Sequence, residues 1–187
     1  MTSAQEEGAP WLFADYLLDN LKEIDPVTDK VINNPEGYSI STARSYIDII
    51  INCAAYTAVD LAEKNKDACY AVNVLGAKNL AIAGAKKNLK DIHTSTDFVF
   101  DGQQRTPYSE TDAPNPLSVY GASKSQGERN IQDVMENYFI VRTSWLYSEY
   151  GKNFMKTMLK LSETRDQISV VSDQIGSPTY AGDLAAA

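Results

Sequence analysis

The chain has 187 residues, 43% of them hydrophobic and 22% charged, enough for one domain with a sizeable core and typical of a globular protein. A formal net charge of −8 argues against a nucleic-acid-binding face, which needs concentrated Lys and Arg. It leaves room for a nucleotide ligand held by backbone N–H groups and helix ends. With one histidine, His93, and two cysteines, Cys53 and Cys69, the sequence excludes a His-based catalytic triad and a multi-His zinc site within this chain, and no metal ligand is assigned. Cys53 lies in an apolar run and is expected in the core as a free thiol. No signal-peptide pattern opens the chain and no apolar run approaches bilayer-spanning length, so the expectation is a cytoplasmic protein without a membrane partner.

In chain order, "WLFADY" (11–16) reads as a strand, and 17–46 carries turn signals with short helices on either side. "YIDIIINCAAY" (46–56) is the clearest strand, its isoleucine run fitting burial on both faces of a parallel sheet. Residues 67–88 read as a helix, with Cys69, Val72, Leu75, Leu80 and Ala83 on one broad apolar face. "DIHTSTDFVF" (91–100) returns to strand. After a loop rich in Pro, Asn and Asp, a helix is predicted from Val119, N-capped by Ser118. "YFIVRTSWLY" (138–147) is a strand, 153–163 an amphipathic helix and "ISVV" (168–171) a short strand. This alternation predicts an α/β, doubly wound parallel sheet.

Ligands of such sheets lie beyond the carboxyl ends of the strands. Three polar clusters fall there: 52–60, "STD" (95–97) and "RTSW" (142–145), with "YGASK" opening a helix on the same edge. Tyr120 and Lys124 are four residues apart, hence neighbours on one helix face. A lysine ammonium beside a phenol favours phenolate. The phenol can donate a proton to a carbonyl oxygen that a threonine hydroxyl, Thr96, also holds. A hydride acceptor carbon then needs a hydride-carrying cofactor. The pair alone is weak evidence, because 11 Tyr and 12 Lys in 187 residues would place roughly 0.7 such pairs by chance. Asn73, mid-helix, is expected to tie the helix to a neighbouring strand, and His93, in a strand, to be structural.

The flanking stretches decide. "NCAAYTAVDLAE", "YAVNVLGAKNLA", "STDFVFDG", "PYSETDAPNPLSVYGASKSQGE", "VRTSWLY", "GKNFMKTML" and "VVSDQIGSPTYAGDLA" occur in order. From about residue 47 to 187 the chain resembles the extended short-chain dehydrogenase/reductases, and within them the dTDP-4-dehydrorhamnose reductases. The resemblance implies a Rossmann-like fold and NADPH- or NADH-dependent reduction of the 4-keto group of dTDP-4-dehydro-L-rhamnose, giving dTDP-L-rhamnose for cell-surface polysaccharide. It makes Tyr120 the proton donor, Lys124 its pKa-lowering, ribose-binding partner and Thr96 the hydroxyl of the triad. Ala54, Ala55 and Thr57 would line the cofactor path, and Asp97, Phe98 and Trp145 would border the sugar. Phe98 departs from the family's usual Tyr. The resemblance allows a homodimer and identifies no ligands for a bridging metal. A related non-catalytic protein, the regulatory β subunit of methionine adenosyltransferase, supplies a rival expectation: a binding subunit of the same fold.

The match departs at the ends. The family's opening strand and GxxGxxG loop are not found, and "WLFADY" aligns with the second strand. Asp15 then stands where an acid binds the adenosine ribose, which leans toward NAD where the resemblance leans toward NADP. Family members continue past "PTYAGDLA". The expectation is one incomplete dinucleotide-binding domain over 1–187, with 166–187 beginning the substrate-domain region.

Overall fold

The computed structural model describes residues 48–187. The strand expected at 11–16, Asp15 and the turns and helices expected from 17 to 46 lie outside the described residues.

Strand β1 (Ile49–Asn52) leads through a short helix α1 (Val59–Ala62) into α2 (Lys66–Tyr70), a π-helical segment (Ala71–Gly76) and α3 (Ala77–Lys86). The helix predicted at 67–88 is therefore present, widened at its centre. Strand β2 (Lys90–Thr96) follows and ends in a 3₁₀ turn (Asp97–Val99); α4 (Val119–Val134) then crosses back to β3 (Tyr138–Thr143). The three strands form a parallel sheet ordered β1-β2-β3, with Ile51 opposite Ile92 and His93 opposite Ile140. This is the expected strand–helix–strand alternation on a parallel ladder.

The sheet end of α4 starts as its sequence dictates. Ser118 is extended and its hydroxyl accepts from Gly121 N at 3.0 Å, a cap worth about 1 kcal/mol. Glu63 reaches in to accept from Val119 N at 2.8 Å. Two glycines then let α4 approach its neighbours. A Cβ on Gly121 would stand 2.2 Å from the Phe98 carbonyl oxygen, and one on Gly127 would stand 2.3 Å from that of Asn73. Ala77, Ala81, Ile131 and Met135 form one apolar cluster, and Tyr56, Ala62, Cys69 and Tyr120 another.

Between β2 and α4 the contact is polar. The period-2 alternation of β2 turns Asp91, His93 and Ser95 to its buried side, where α4 presents Ser123, Lys124, Ser125 and Glu128. Glu128 is the hub: it accepts from Ser95 Oγ at 2.5 Å and from Arg142 through two bonds of 3.0 and 2.6 Å. Arg142 also lies over the Phe100 ring, 5.0 Å from its centroid.

Four expectations need correction. The isoleucine strand is not buried on both faces: Ile49 and Ile51 are exposed, Ile51 by 67%, because the helices of the described residues pack on the other face. Cys53, on the same alternation, is exposed and 3.6 Å from Thr94 Oγ1 rather than in the core. "ISVV" forms no strand, and Val170 and Val171 are exposed. The strand expected over 138–147 stops at Thr143, and β4 (Leu146–Tyr147) pairs in parallel with β5 (Thr179–Tyr180), a pairing the sequence patterns did not show. Helix α5 (Phe154–Ser162) forms as predicted, capped by Asn153 onto Lys156 N at 3.0 Å, and α6 (Ala181–Ala186) follows β5.

Candidate active site

The carboxyl edge of the sheet opens into a cavity of about 960 Å³. Its wall includes Thr96 and Asp97 from the end of β2, Tyr120 and Lys124 from α4, and Ala55 and Thr57 from the loop after β1. Phe98 and Trp145 complete the same wall, so the cavity gathers every expected site residue except two. Ala54 does not line it; its N–H instead donates to Asn52 Oδ1 at 3.1 Å. Asp15 lies outside the described residues.

Thr96 ends β2 and turns the chain. Its hydroxyl accepts from Phe98 N at 3.2 Å and donates to Asp97 Oδ1 at 3.1 Å. Burial raises the Asp97 carboxyl above its usual range, while the bonds from Thr96 and the local backbone pull the other way. Tyr120 packs edge-on against Phe98, with centroids 5.6 Å apart. Burial holds its phenol above the ordinary value, its hydrogen bond with Thr96 lowers it, and Asp97 and Cys69 raise it further. The lowering expected from Lys124 is not among these effects, and the phenol carries its proton at neutral pH.

Lys124 is 2% exposed, and its amine is engaged at the cavity wall. Its Nζ donates to the Thr94 carbonyl at 2.7 Å and lies 3.2 Å from His93 Nε2. Burial pulls the amine down to about 8, against smaller raising effects of Glu128, Cys53 and Cys69. The same burial, with Lys124 beside it, drives the His93 imidazole down to about 3, so the ring is neutral. Asn52 Nδ2 contacts the other ring nitrogen at 3.0 Å.

Asn73 ties its helix to the loop after β1 and to α4 rather than to the expected neighbouring strand. Its oxygen accepts from Tyr56 N at 2.8 Å, and its amide nitrogen donates to Tyr56 O at 3.1 Å and Ser123 Oγ at 2.9 Å. It sits in the π segment, a distortion that recurs where helices carry site residues. Trp145 does not enter the core. It is about half exposed, and its φ of 46° is strained for so bulky a residue, at a cost of roughly 1–3 kcal/mol.

Sequence reasoning missed Asn52, the partner of His93, and Glu128 with its ties to Ser95 and Arg142. One signal was available: polar residues at alternate positions of β2 facing polar residues at i, i+4 on α4.

Residues 27–187 match the family described as RmlD substrate binding domain. The chain is 51% identical over 138 residues to a dTDP-4-dehydrorhamnose reductase of Aggregatibacter actinomycetemcomitans, covering 74% of this chain and 47% of that protein. It is 42% identical to the spore coat polysaccharide biosynthesis protein SpsK of Bacillus subtilis, covering 88% and 59%. Among solved structures, a dTDP-4-dehydrorhamnose reductase from Bacillus anthracis in complex with NADP superposes with a TM-score of 0.73 at 45% identity, over 83% of this chain and 62% of that one. A Clostridium acetobutylicum counterpart gives 0.72 at 46% identity, over 74% and 49%. The chain spans about half the length of the first of these curated relatives.

Proposed function

The chain belongs to the RmlD substrate binding domain family, and on that premise we propose that its cavity is the reducing half-site of a dTDP-4-dehydrorhamnose reductase. The observation that carries the reading is the placement of the Thr96 hydroxyl, the Tyr120 phenol and the Lys124 amine along one wall at the carboxyl edge of a parallel sheet.

The residues suit a dinucleotide's nicotinamide end. The wall is largely apolar, Lys124 brings a buried amine, and the Thr143 hydroxyl, also on the wall, is buried with no hydrogen-bond partner among the described residues. Ala55, Thr57, Tyr120 and Lys124 would hold that end, and bound NADPH or NADH supplies the hydride. NADP is the dinucleotide in the similar Bacillus anthracis structure, so NADPH is the first to test; Asp15 keeps NADH as the second.

Tyr120, protonated at neutral pH, gives its proton to the 4-keto oxygen as charge develops there. Thr96 holds that oxygen once its single hydroxyl proton turns from Asp97 Oδ1 to the keto oxygen, while its own oxygen stays fixed by the Phe98 N–H. Phe98 and Trp145 offer ring faces to the sugar. The product is dTDP-L-rhamnose, a precursor for polysaccharide. The reading carries with it a cytoplasmic location, residues 166–187 as the start of the sugar-binding region, and a homodimer. No helix of the described residues is long and apolar enough to cross a membrane.

The test is turnover of dTDP-4-dehydro-L-rhamnose with NADPH. Tyr120→Phe is expected to lower kcat about 10³-fold with an unchanged circular dichroism spectrum. Unchanged turnover in a folded variant contradicts the assignment, and the rival reading of a non-catalytic binding subunit then takes its place.

A further inference from the structure

The polar chain behind Lys124 has a fixed direction. The Ala54 N–H can only donate, so the Asn52 amide atom 3.1 Å away is its oxygen. The Asn52 nitrogen therefore faces His93 Nδ1, 3.0 Å away, and both its hydrogens are donors. Nδ1 must then offer its lone pair, and in the neutral ring the proton sits on Nε2. That N–H points at Lys124 Nζ, 3.2 Å away.

The donor count at Nζ follows. A neutral amine accepts from Nε2–H and gives one of its hydrogens to the Thr94 carbonyl. An ammonium has no lone pair, and sets N–H against N–H. For Nε2 to accept instead, the ring proton must move to Nδ1, where it meets the Asn52 NH₂. Asn52 cannot turn over to relieve this without placing that NH₂ against the Ala54 N–H.

We propose that Asn52 and His93 form a tautomer lock that favours the neutral amine of Lys124 in the ligand-free site, His93 being a positioning residue for Lys124. Charging Lys124 then requires Nζ to leave Nε2 or the lock to break. An acceptor oxygen entering the cavity draws Nζ away from the ring, so the amine takes its proton from solvent more readily as ligand arrives. The consequence for catalysis rests on the proposed function; the lock itself does not.

The surroundings agree. His93 and Lys124 are nearly fully buried, and burial disfavours charge on both. The groups that oppose the effect come from three elements: Glu128 on α4, Cys53 after β1 and Cys69 on α2. Glu128 already spends its charge on Arg142. Tyr120, one turn before Lys124, is held protonated.

His93 is the only histidine, so ¹⁵N-histidine labelling reads the lock without assignment. At pH 9, above the Lys124 midpoint, the expected spectrum has a pyridine-type Nδ1 and a pyrrole-type Nε2. A proton on Nδ1 at pH 9, or a cationic ring at pH 7, overturns the proposal. Two variants sharpen it. In Asn52→Asp the carboxylate still accepts from Ala54 N–H and now accepts from Nδ1–H, so the tautomer is expected to reverse. In His93→Gln the amide oxygen can accept from an ammonium without adding charge, so the Lys124 titration midpoint is expected to rise by about one pH unit. That midpoint is read from the ε-methylene resonance lost in Lys124→Arg. An unchanged tautomer in folded Asn52→Asp, or an unchanged midpoint in folded His93→Gln, contradicts the lock. Neither readout requires turnover, so loss of the reductase assignment and loss of the lock are told apart.

Discussion

Residues 90–143 and residues 144–187 are built on opposite terms. In the first region most buried polar groups are paired: Glu128 with Ser95 and Arg142, Lys124 with His93 and Thr94, and Ser123 with Asn73 of the preceding helical segment; Asp91 and Thr143 have no partner among the described residues. In the second, α5 and α6 bury no residue, and Phe154, Leu159 and Ile175 are exposed, Ile175 by 98%. The wall that carries Thr96 and Tyr120 is thus held by contacts inside the described residues, and the apolar side chains beyond it are not. A self-contained network can fix the positions of Thr96 and Tyr120, whereas the second region has its apolar surface uncovered within these residues.

Substitutions should separate the regions. Arg142→Leu leaves the Glu128 charge buried and unpaired, and is expected to cost about 3 kcal/mol in urea unfolding. Adding Glu128→Leu should recover most of that loss, and a double variant no better than the single contradicts the hub. Next is Gly127→Ala, whose methyl would stand 2.3 Å from the Asn73 oxygen; about 2 kcal/mol is expected, read from the denaturation midpoint.

Asp91 acts in the opposite direction. It is fully buried, neither carboxylate oxygen has a partner among the described residues, and burial lifts its carboxyl to about 6. A raised carboxyl binds its proton more tightly folded than unfolded. Its contribution is favourable below its ordinary range near pH 4 and is lost as pH rises through 6. Asp91→Asn is therefore expected to stabilise by roughly 2 kcal/mol at pH 8 and by little at pH 4. Equal effects at the two pH values would rule this out. The smallest change belongs to the second region: Ile175→Ser should move stability by less than about 0.5 kcal/mol. A larger loss would show that Ile175 is covered in solution.

Much of this was legible in the sequence because periodicity and caps act locally. The isoleucine run, the Ser118 cap and the 3.6-residue pattern of 153–163 each specify their element without help. The site was legible for a related reason: Thr96 and Tyr120 sit where a strand ends and a helix begins, and the parallel topology brings those ends together. What failed depends on neighbours. Whether Ile51 and Cys53 are buried is decided by what packs over that face, and no one-strand pattern carries this. "ISVV" has strand composition but no sheet edge to pair with, while Thr179–Tyr180 finds one at Leu146–Tyr147. Asn52 and His93 are 41 residues apart, and only the β1-β2 register makes them partners.

The central claim is that the cavity beside Tyr120 and Lys124 is a nicotinamide-cofactor site. Fluorescence titration of the purified chain with NADPH, and in parallel with NADH, tests it most directly. The account predicts saturable binding that is weakened in Lys124→Met. A folded chain that leaves the fluorescence of both unchanged up to millimolar concentration would contradict it.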